Sequence, residues 1–189
     1  MPDAEAAEAA GQFLQQIRKE GNSAGGIVEC IIEGMPAGVG EPVFEKLDAT
    51  LAKAIFSIGA VKGVEFGSGF QAARRKGSDN NDNYQLDEEG KIKKLSNNSG
   101  GIVGGISEGE PIVFRAAFKP TPSISIRQKT VSRKGENTEI IVKGRHDPIV
   151  VPRAVVVVEA MAAITVVDYL FQSILSRIDL IEKALKASE

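Results

Sequence analysis

The sequence predicts an α+β domain whose strands pair antiparallel and whose helices cover one face of the sheet. Three observations predict it. Apolar residues recur at spacings of three and four before Gly21 and again between Pro42 and Ser57, and the segment from Val151 to Lys186 is helical in character. Between these helices lie short β-branched and aliphatic runs bounded by Gly, Pro and Asn. Several of those runs are separated only by hairpin-length turns, which suits antiparallel pairing.

Taken in order, Pro2-Asp3 starts the first helix with Asp3 as its cap. Ala10, Phe13, Leu14 and Ile17 form its apolar stripe, and Gly21 stops it. Gly26 to Met35 reads as a strand, broken by Pro36, Gly38 and Gly40. Pro42 opens a second helix with Phe44, Leu47, Leu51 and Ile55 on one stripe, which is read as core. Ser57-Ile58-Gly59-Ala60 ends that helix, and Val61 to Phe66 returns as a strand. Arg74 to Asn83 is polar and reads as a mobile loop. Ile92 to Leu95 forms a short strand or hairpin arm, Ile102-Val103 is bracketed by glycines, and Pro111 to Phe118 is strand-like. Ile124 to Val131 and Thr138 to Val142 pair across Lys134-Gly135-Glu136-Asn137. The last helix carries a break near Ser176; its Val-rich interior has modest helix propensity, so burial must hold it.

Composition narrows the function classes. The chain has 189 residues, enough to bury a full core, and a formal net charge of -2, which calls for neither nucleic acid nor an anionic membrane as partner. Aromatics are 5% and Trp is absent, so a base-stacking platform is not expected. The single cysteine, Cys30, excludes an internal disulfide and fits a reducing, cytoplasmic setting. It alternates with Val28 and Ile32, which favours an apolar role over a nucleophile. Glu159 and Asp168 interrupt the apolar stretch after Ala154, so no membrane span is expected, and the acidic, Ala-rich N-terminus does not read as a signal peptide.

Three segments carry candidate chemistry. In Arg145-His146-Asp147-Pro148 three ionisable side chains meet at a bend between a strand and a helix. Arg is a planar fork suited to carboxylate or phosphate. The plainer alternative is a surface ion pair closing a turn. Gly100-Gly101-Ile102-Val103-Gly104-Gly105-Ile106-Ser107 could bring backbone N–H groups close to a phosphate or ring, or could simply make tight turns between strands. It matches neither the Walker nor the dinucleotide pattern. In Lys119-Pro120-Thr121-Pro122-Ser123 two prolines stiffen a loop that presents a cation and hydroxyls, as an anionic ligand requires; a stiffened strand crossover is the alternative. His146 is the only histidine, and no His or Cys partner stands near it, so a metal site is not expected.

Together these segments resemble chorismate synthase. The matching stretches are Gly21-Asn22-Ser23-Ala24-Gly25-Gly26, Gly40-Glu41-Pro42-Val43-Phe44-Glu45-Lys46-Leu47-Asp48-Ala49, Ser57 to Glu65, Gly104-Gly105-Ile106-Ser107, Lys119 to Ile124, Gly144 to Pro148, and Pro152-Arg153-Ala154 to Met161. Each is weak singly; the series, in one order over nearly the whole chain, is specific. The resemblance covers residues 1–189 as a single C-terminal portion of that enzyme. The other half, with a Ser-His signature, a second catalytic histidine and several substrate-binding arginines, has no counterpart here.

The resemblance implies an α+β sandwich, with helices between two antiparallel sheets, and a homotetramer. It implies elimination of phosphate, 1,4-anti, from 5-enolpyruvylshikimate 3-phosphate to give chorismate, using reduced FMN in the shikimate pathway. Flavin-contacting positions fall on Gly59, Ala60, Gly104, Lys119, Pro120, Thr121, Pro122, Ser123 and Arg145. Asp147 and Arg145 fall on catalytic positions, Asp147 as an assistant in proton transfer. Thr121 and Ser123 would donate to the flavin phosphate. Position 59 departs from the Asn of many members, so a contact there must come from backbone. Pro122 stands where others often have Ser. Without its other half such a chain is expected to be inactive; the alternative expectation is a non-catalytic folding or oligomerisation module.

Overall fold

The computed structural model describes residues 3–144 and 146–186. Its centre is a three-stranded antiparallel sheet of order β1-β7-β2, with β1 at Gly26–Ile32, β7 at Ile112–Phe118 and β2 at Val61–Phe66. Alternation along β7 buries Ile112, Phe114, Ala116 and Phe118 on one face. On β1 the same face presents Val28, Cys30 and Ile32. Burial, and then the negative charge of Glu159, pushes the Cys30 thiol pKa up, in keeping with an apolar role.

Helices α2 (Leu47–Phe56) and α4 (Val151–Leu175) cover that face. Leu47, Leu51 and Ile55, at spacings of four, are fully buried. Each such side chain contributes on the order of 1.5–3 kcal/mol of burial. The stripe does not extend to Phe44, which is 87% exposed. Pro42 opens a separate turn instead of the helix: Glu45 N–H donates to Pro42 O at 3.4 Å, Val43 sits at φ 56°, and extended backbone at Lys46 begins α2. In α4, Ala154, Val158, Ala162, Thr165 and Tyr169 form the buried stripe. Tyr169 Oη donates to Glu45 O at 2.6 Å and lies 2.6 Å from Thr50 Oγ1, which fastens α4 to the start of α2.

Of the expected sandwich, the described residues supply one sheet and the helix layer. The other side of α4, with Val156, Ile164 and Phe171, is exposed. This helix has mean hydropathy 2.0 over its apolar window and is, by length and composition alone, long enough to cross a bilayer, so Glu159 and Asp168 do not interrupt it as expected. Helix α1 (Ala4–Lys19) forms as its sequence dictates, with Asp3 Oδ1 accepting the Ala6 N–H at 2.6 Å, yet it buries no residue. A break at Ser176 separates α4 from α5 (Ile178–Lys186).

The segment read as a loop is more regular than expected. One helical turn, α3, spans Gly77–Asn80, just after a 3-10 helix at Gly69–Arg74 that ends where the segment begins. Asp82 then ties the segment down, accepting from Asn98 N–H at 2.7 Å and Ser99 N–H at 2.9 Å. Three hairpins complete the chain: β3 (Tyr84–Leu86) with β4 (Ile92–Lys94), β5 (Ile102–Val103) with β6 (Ile106–Ser107), and β8 (Gln128–Val131) with β9 (Asn137–Ile140).

Candidate active site

Strand register decides which loops meet. Phe118, the last residue of β7, pairs with Gly26, the first of β1, and with Val61, the first of β2. The loops before β1, before β2 and after β7 therefore converge on one end of the sheet. Four hydrogen bonds join them and the bend before α4. Lys119 N–H donates to Ala60 O at 2.9 Å, and Ser23 Oγ to Thr121 O at 2.6 Å. Ala24 N–H donates to Pro148 O at 2.8 Å, and Ser125 N–H to Gly21 O at 2.9 Å. Gly25 allows the closest approach: a Cβ there would stand 2.5 Å from Phe118 O.

Gly59, Ala60, Lys119, Pro120, Thr121, Pro122, Ser123 and Asp147 thus belong to one cluster of loops. Ala60 adopts φ 74°, a left-handed conformation that costs a non-glycine residue about 1–2 kcal/mol. Its carbonyl is the one that holds Lys119, so the strain is retained by the loop contact. A Cβ on Gly59 would meet nothing within 4 Å, so the backbone there is open to a ligand face. Lys119 is exposed and has no ion-pair partner among the described residues.

Two buried polar atoms here lack hydrogen-bond partners among the described residues: Thr121 Oγ1 and His146 Nε2. Orphaned groups of this kind are uncommon in folded proteins. A hydroxyl and an imidazole nitrogen beside a lysine-bearing loop suit a ligand with anionic oxygens, so these residues fit a flavin phosphate. Asp147 is half-exposed and its Oδ2 lies 2.5 Å from Arg153 Nη1, at the first turn of α4. The surface ion pair weighed from the sequence therefore exists, but its cation is Arg153. Arg145 lies outside the described residues.

Gly104 is not brought to this cluster. It sits in the β5–β6 turn, where Gly105 O accepts the Leu47 N–H at 2.9 Å at the start of α2. Ala60 follows the other end of α2, and a ten-residue helix is about 15 Å long. The glycine-dense stretch thus makes tight turns at the far end of the sheet. Sequence reading also missed residues: a cleft of about 220 Å³ at the cluster is lined by Arg18, Asn22 and Ser125 as well as Ser123 and His146. No pattern within α1 singles out Arg18, whose place depends on where Gly21 docks. Among the described residues there is no group of His, Cys, Asp and Glu side chains able to hold a metal ion.

A family model described as chorismate synthase matches residues 1–171. The chain belongs to the chorismate synthase family. It is 60% identical over 183 residues to the chorismate synthase of Lachnoclostridium phytofermentans, covering 97% of this chain and 50% of that protein. It is 58% identical over 172 residues to the chorismate synthase of Methanosarcina barkeri, covering 90% of this chain and 47% of that one. A crystal structure of chorismate synthase superposes with a TM-score of 0.74 at 35% identity, covering 92% of this chain and 45% of that chain. The family expected from the motif series is the family found, and the α+β class with it. The chain spans about half the length of the curated relatives it matches.

Proposed function

We propose that this chain is the C-terminal part of a chorismate synthase and supplies one wall of its flavin and substrate pocket. The parent reaction is elimination of phosphate from 5-enolpyruvylshikimate 3-phosphate, giving chorismate with reduced FMN bound. The observation that supports this most is the joining of the Ala60, Lys119–Ser123 and Pro148 loops at one end of the sheet, in a chain of this family. When bound, reduced flavin supplies an electron-rich ring beside the substrate, with no net redox change.

The chain's own residues would do the following. Lys119 offers its ammonium to phosphate or flavin charge, and its backbone is fixed by Ala60. Thr121 Oγ1, which has no hydrogen-bond partner among the described residues, donates to an anionic oxygen. Pro120 and Pro122 hold these donors with little freedom left to lose. Gly59 contributes backbone alone. Asp147 assists proton removal, with Arg153 orienting its carboxylate. Arg145 meets flavin and substrate by family position. We place the assembled enzyme in the cytoplasm as a homotetramer.

Flavin titration under anaerobic conditions tests this reading. Saturable binding of reduced FMN, weakened by Lys119→Ala, is expected, together with no chorismate formation by this chain alone. Robust turnover by the isolated chain would contradict the half-pocket reading. A second reading, a folding or oligomerisation module, is favoured by the bare apolar side of α4. It predicts strong self-association with no flavin binding.

A further inference from the structure

The face of the sheet turned away from α2 and α4 carries a hole. Ile27, Ala117 and Gly63 lie side by side in one row across β1, β7 and β2. Ala117 and Gly63 are small, and Gly63 needs no special backbone. It is not at positive φ, and a Cβ there would stand 3.6 Å from Ala117 Cβ, an ordinary contact. What glycine leaves is space. Phe70, exposed on the 3-10 helix, lines that space, and its N–H donates to Glu65 Oε2 at 3.0 Å. Arg115 Nη2 is held at the rim by Glu65 Oε1 at 3.0 Å and by Gly67 O at 3.0 Å. The resulting cleft is mainly apolar and has a volume of about 170 Å³; an apolar cavity of about 150 Å³ takes up a benzene ring.

A matching knob stands on the other side of the sheet, in the turn before α2. Val43, a β-branched residue at φ 56°, is a steric outlier there. The turn is gripped at both ends, which retains the strain: Gly40 lies against the Gly105 carbonyl, and Glu45 O accepts from Tyr169 Oη at 2.6 Å. Val43 and Phe44 are left exposed between these grips. An aromatic side chain on a fixed turn loses little freedom on docking. The turn leads into α2, which packs on the opposite face from the hole, so a chain cannot fill its own hole. Glu41 and Glu45 flank Phe44, and Lys62 precedes Gly63; all three lack ion-pair partners among the described residues.

We propose that Phe44 of one copy of this chain inserts into the hole at Gly63 and Ala117 of a second copy. The ring packs on Ile27 and Phe70 and against the Arg115 guanidinium, which is attracted to an aromatic face. Glu41 and Glu45 then meet Lys62, acid against base. Knob and hole lie on opposite sides of one chain, so the contact is head-to-tail and either closes into a ring or extends as an open chain. The inference rests on the homo-oligomer proposed above only in taking a second copy as the occupant.

Sedimentation velocity on the full chain tests this. The parent is expected to self-associate as its concentration rises. Phe44→Ala, which removes the knob, and Gly63→Leu, which fills the hole, should each associate at least about tenfold more weakly, as loss of a buried aromatic anchor implies. Phe70→Ala, at an exposed position, should weaken association as well. Urea unfolding of the dilute chains checks that each variant is folded; if Gly63→Leu is not, Phe70→Ala takes its place. Mixing is the sharper test. Phe44→Ala keeps a hole and Gly63→Leu keeps a knob, so an equimolar mixture should form a one-to-one dimer and nothing larger. A parent chain monomeric at every concentration, or a mixture that stays monomeric, overturns the proposal. Association that survives both variants and is lost in Phe171→Glu puts the contact on α4; that overturns the knob and leaves the homo-oligomer standing.

Discussion

Replacing Lys94 by Met should be among the most damaging single changes in this chain, although Lys94 is far from the candidate site. Its side chain is only 2% exposed and is paired with Asp82 at 3.0 Å and with Glu108; those side chains are 7% and 15% exposed. Ser99 Oγ donates to Glu108 Oε1 at 2.6 Å, and Ser96 Oγ to Asp82 Oδ1 at 2.6 Å. Burial works against ionisation, but the hydrogen bonds from Ser96, Ser99, Asn98 and Lys94 win and hold the Asp82 carboxyl far below the usual carboxylate range. Glu108 is likewise lowered against its own burial, by Lys94 and Ser99. Removing the cation strands two neighbouring buried carboxylates, at a cost of about 3–5 kcal/mol. The sign with pH follows. In the parent chain both carboxylates titrate lower when folded, so their stabilisation is present above the unfolded values near 4 and is lost as pH falls through the folded ones. In Lys94→Met the stranded carboxylates titrate higher when folded, so acid relieves them. Urea unfolding at pH 7 should show the full loss, and at pH 4 the gap between variant and parent should shrink. A loss below about 1 kcal/mol at pH 7, or a gap independent of pH, would refute the assignment of Lys94 as an essential buried counter-ion.

Other changes separate core, clamp and site. Leu51→Ala, at a fully buried position, should cost about 2–5 kcal/mol, whereas Phe44→Ala should shift stability by no more than about 0.5 kcal/mol, both read by urea unfolding. Tyr169→Phe removes the hydroxyl shared by Glu45 O and Thr50 Oγ1, and should cost about 1–3 kcal/mol by the same measurement. Asp147→Asn breaks only an exposed pair, so unfolding should change by less than about 1 kcal/mol; in an enzyme assembled from both halves, kcat should nevertheless fall if Asp147 assists proton transfer.

Much of the fold was legible because it rests on local periodicity. The Leu47, Leu51, Ile55 stripe, the strand ending at Phe118 and the Ser176 break all lie where the sequence reading puts them. Phe44 was misplaced because Pro42 favours either a helix start or a turn; here the turn wins, closed by Glu45 N–H on Pro42 O. The helical turn and the ties within Arg74 to Asn83 are not legible in the sequence, because Asp82 reaching the Asn98 and Ser99 amides leaves no periodic trace. Arg18 was invisible for a related reason: its stripe position says surface, and only the docking of Gly21 on Ser125 turns that surface into a cleft wall.

The two ends of the sheet divide the glycines by task. At the far end, Gly104 and Gly105 serve the β5–β6 turn, and Gly105 O receives the first amide of α2. At the near end, Gly25 is required by its contact with Phe118 O, while Gly59 faces open space where a Cβ would stand. Gly104 also has open space where a Cβ would stand, but its φ of 63° in the turn calls for glycine, whereas Gly59 is neither crowded nor at positive φ. That contrast, more than glycine density, sets Gly59 apart from the turn glycines. The same reasoning applies to α4. Its packed stripe accounts for Ala154, Val158 and Tyr169, but leaves Val156, Ile164 and Phe171 without contacts that would justify them. An open cleft at one end of the sheet and a bare apolar helix face are both what half of a larger pocket-bearing domain would present, and a self-sufficient binding domain would need neither.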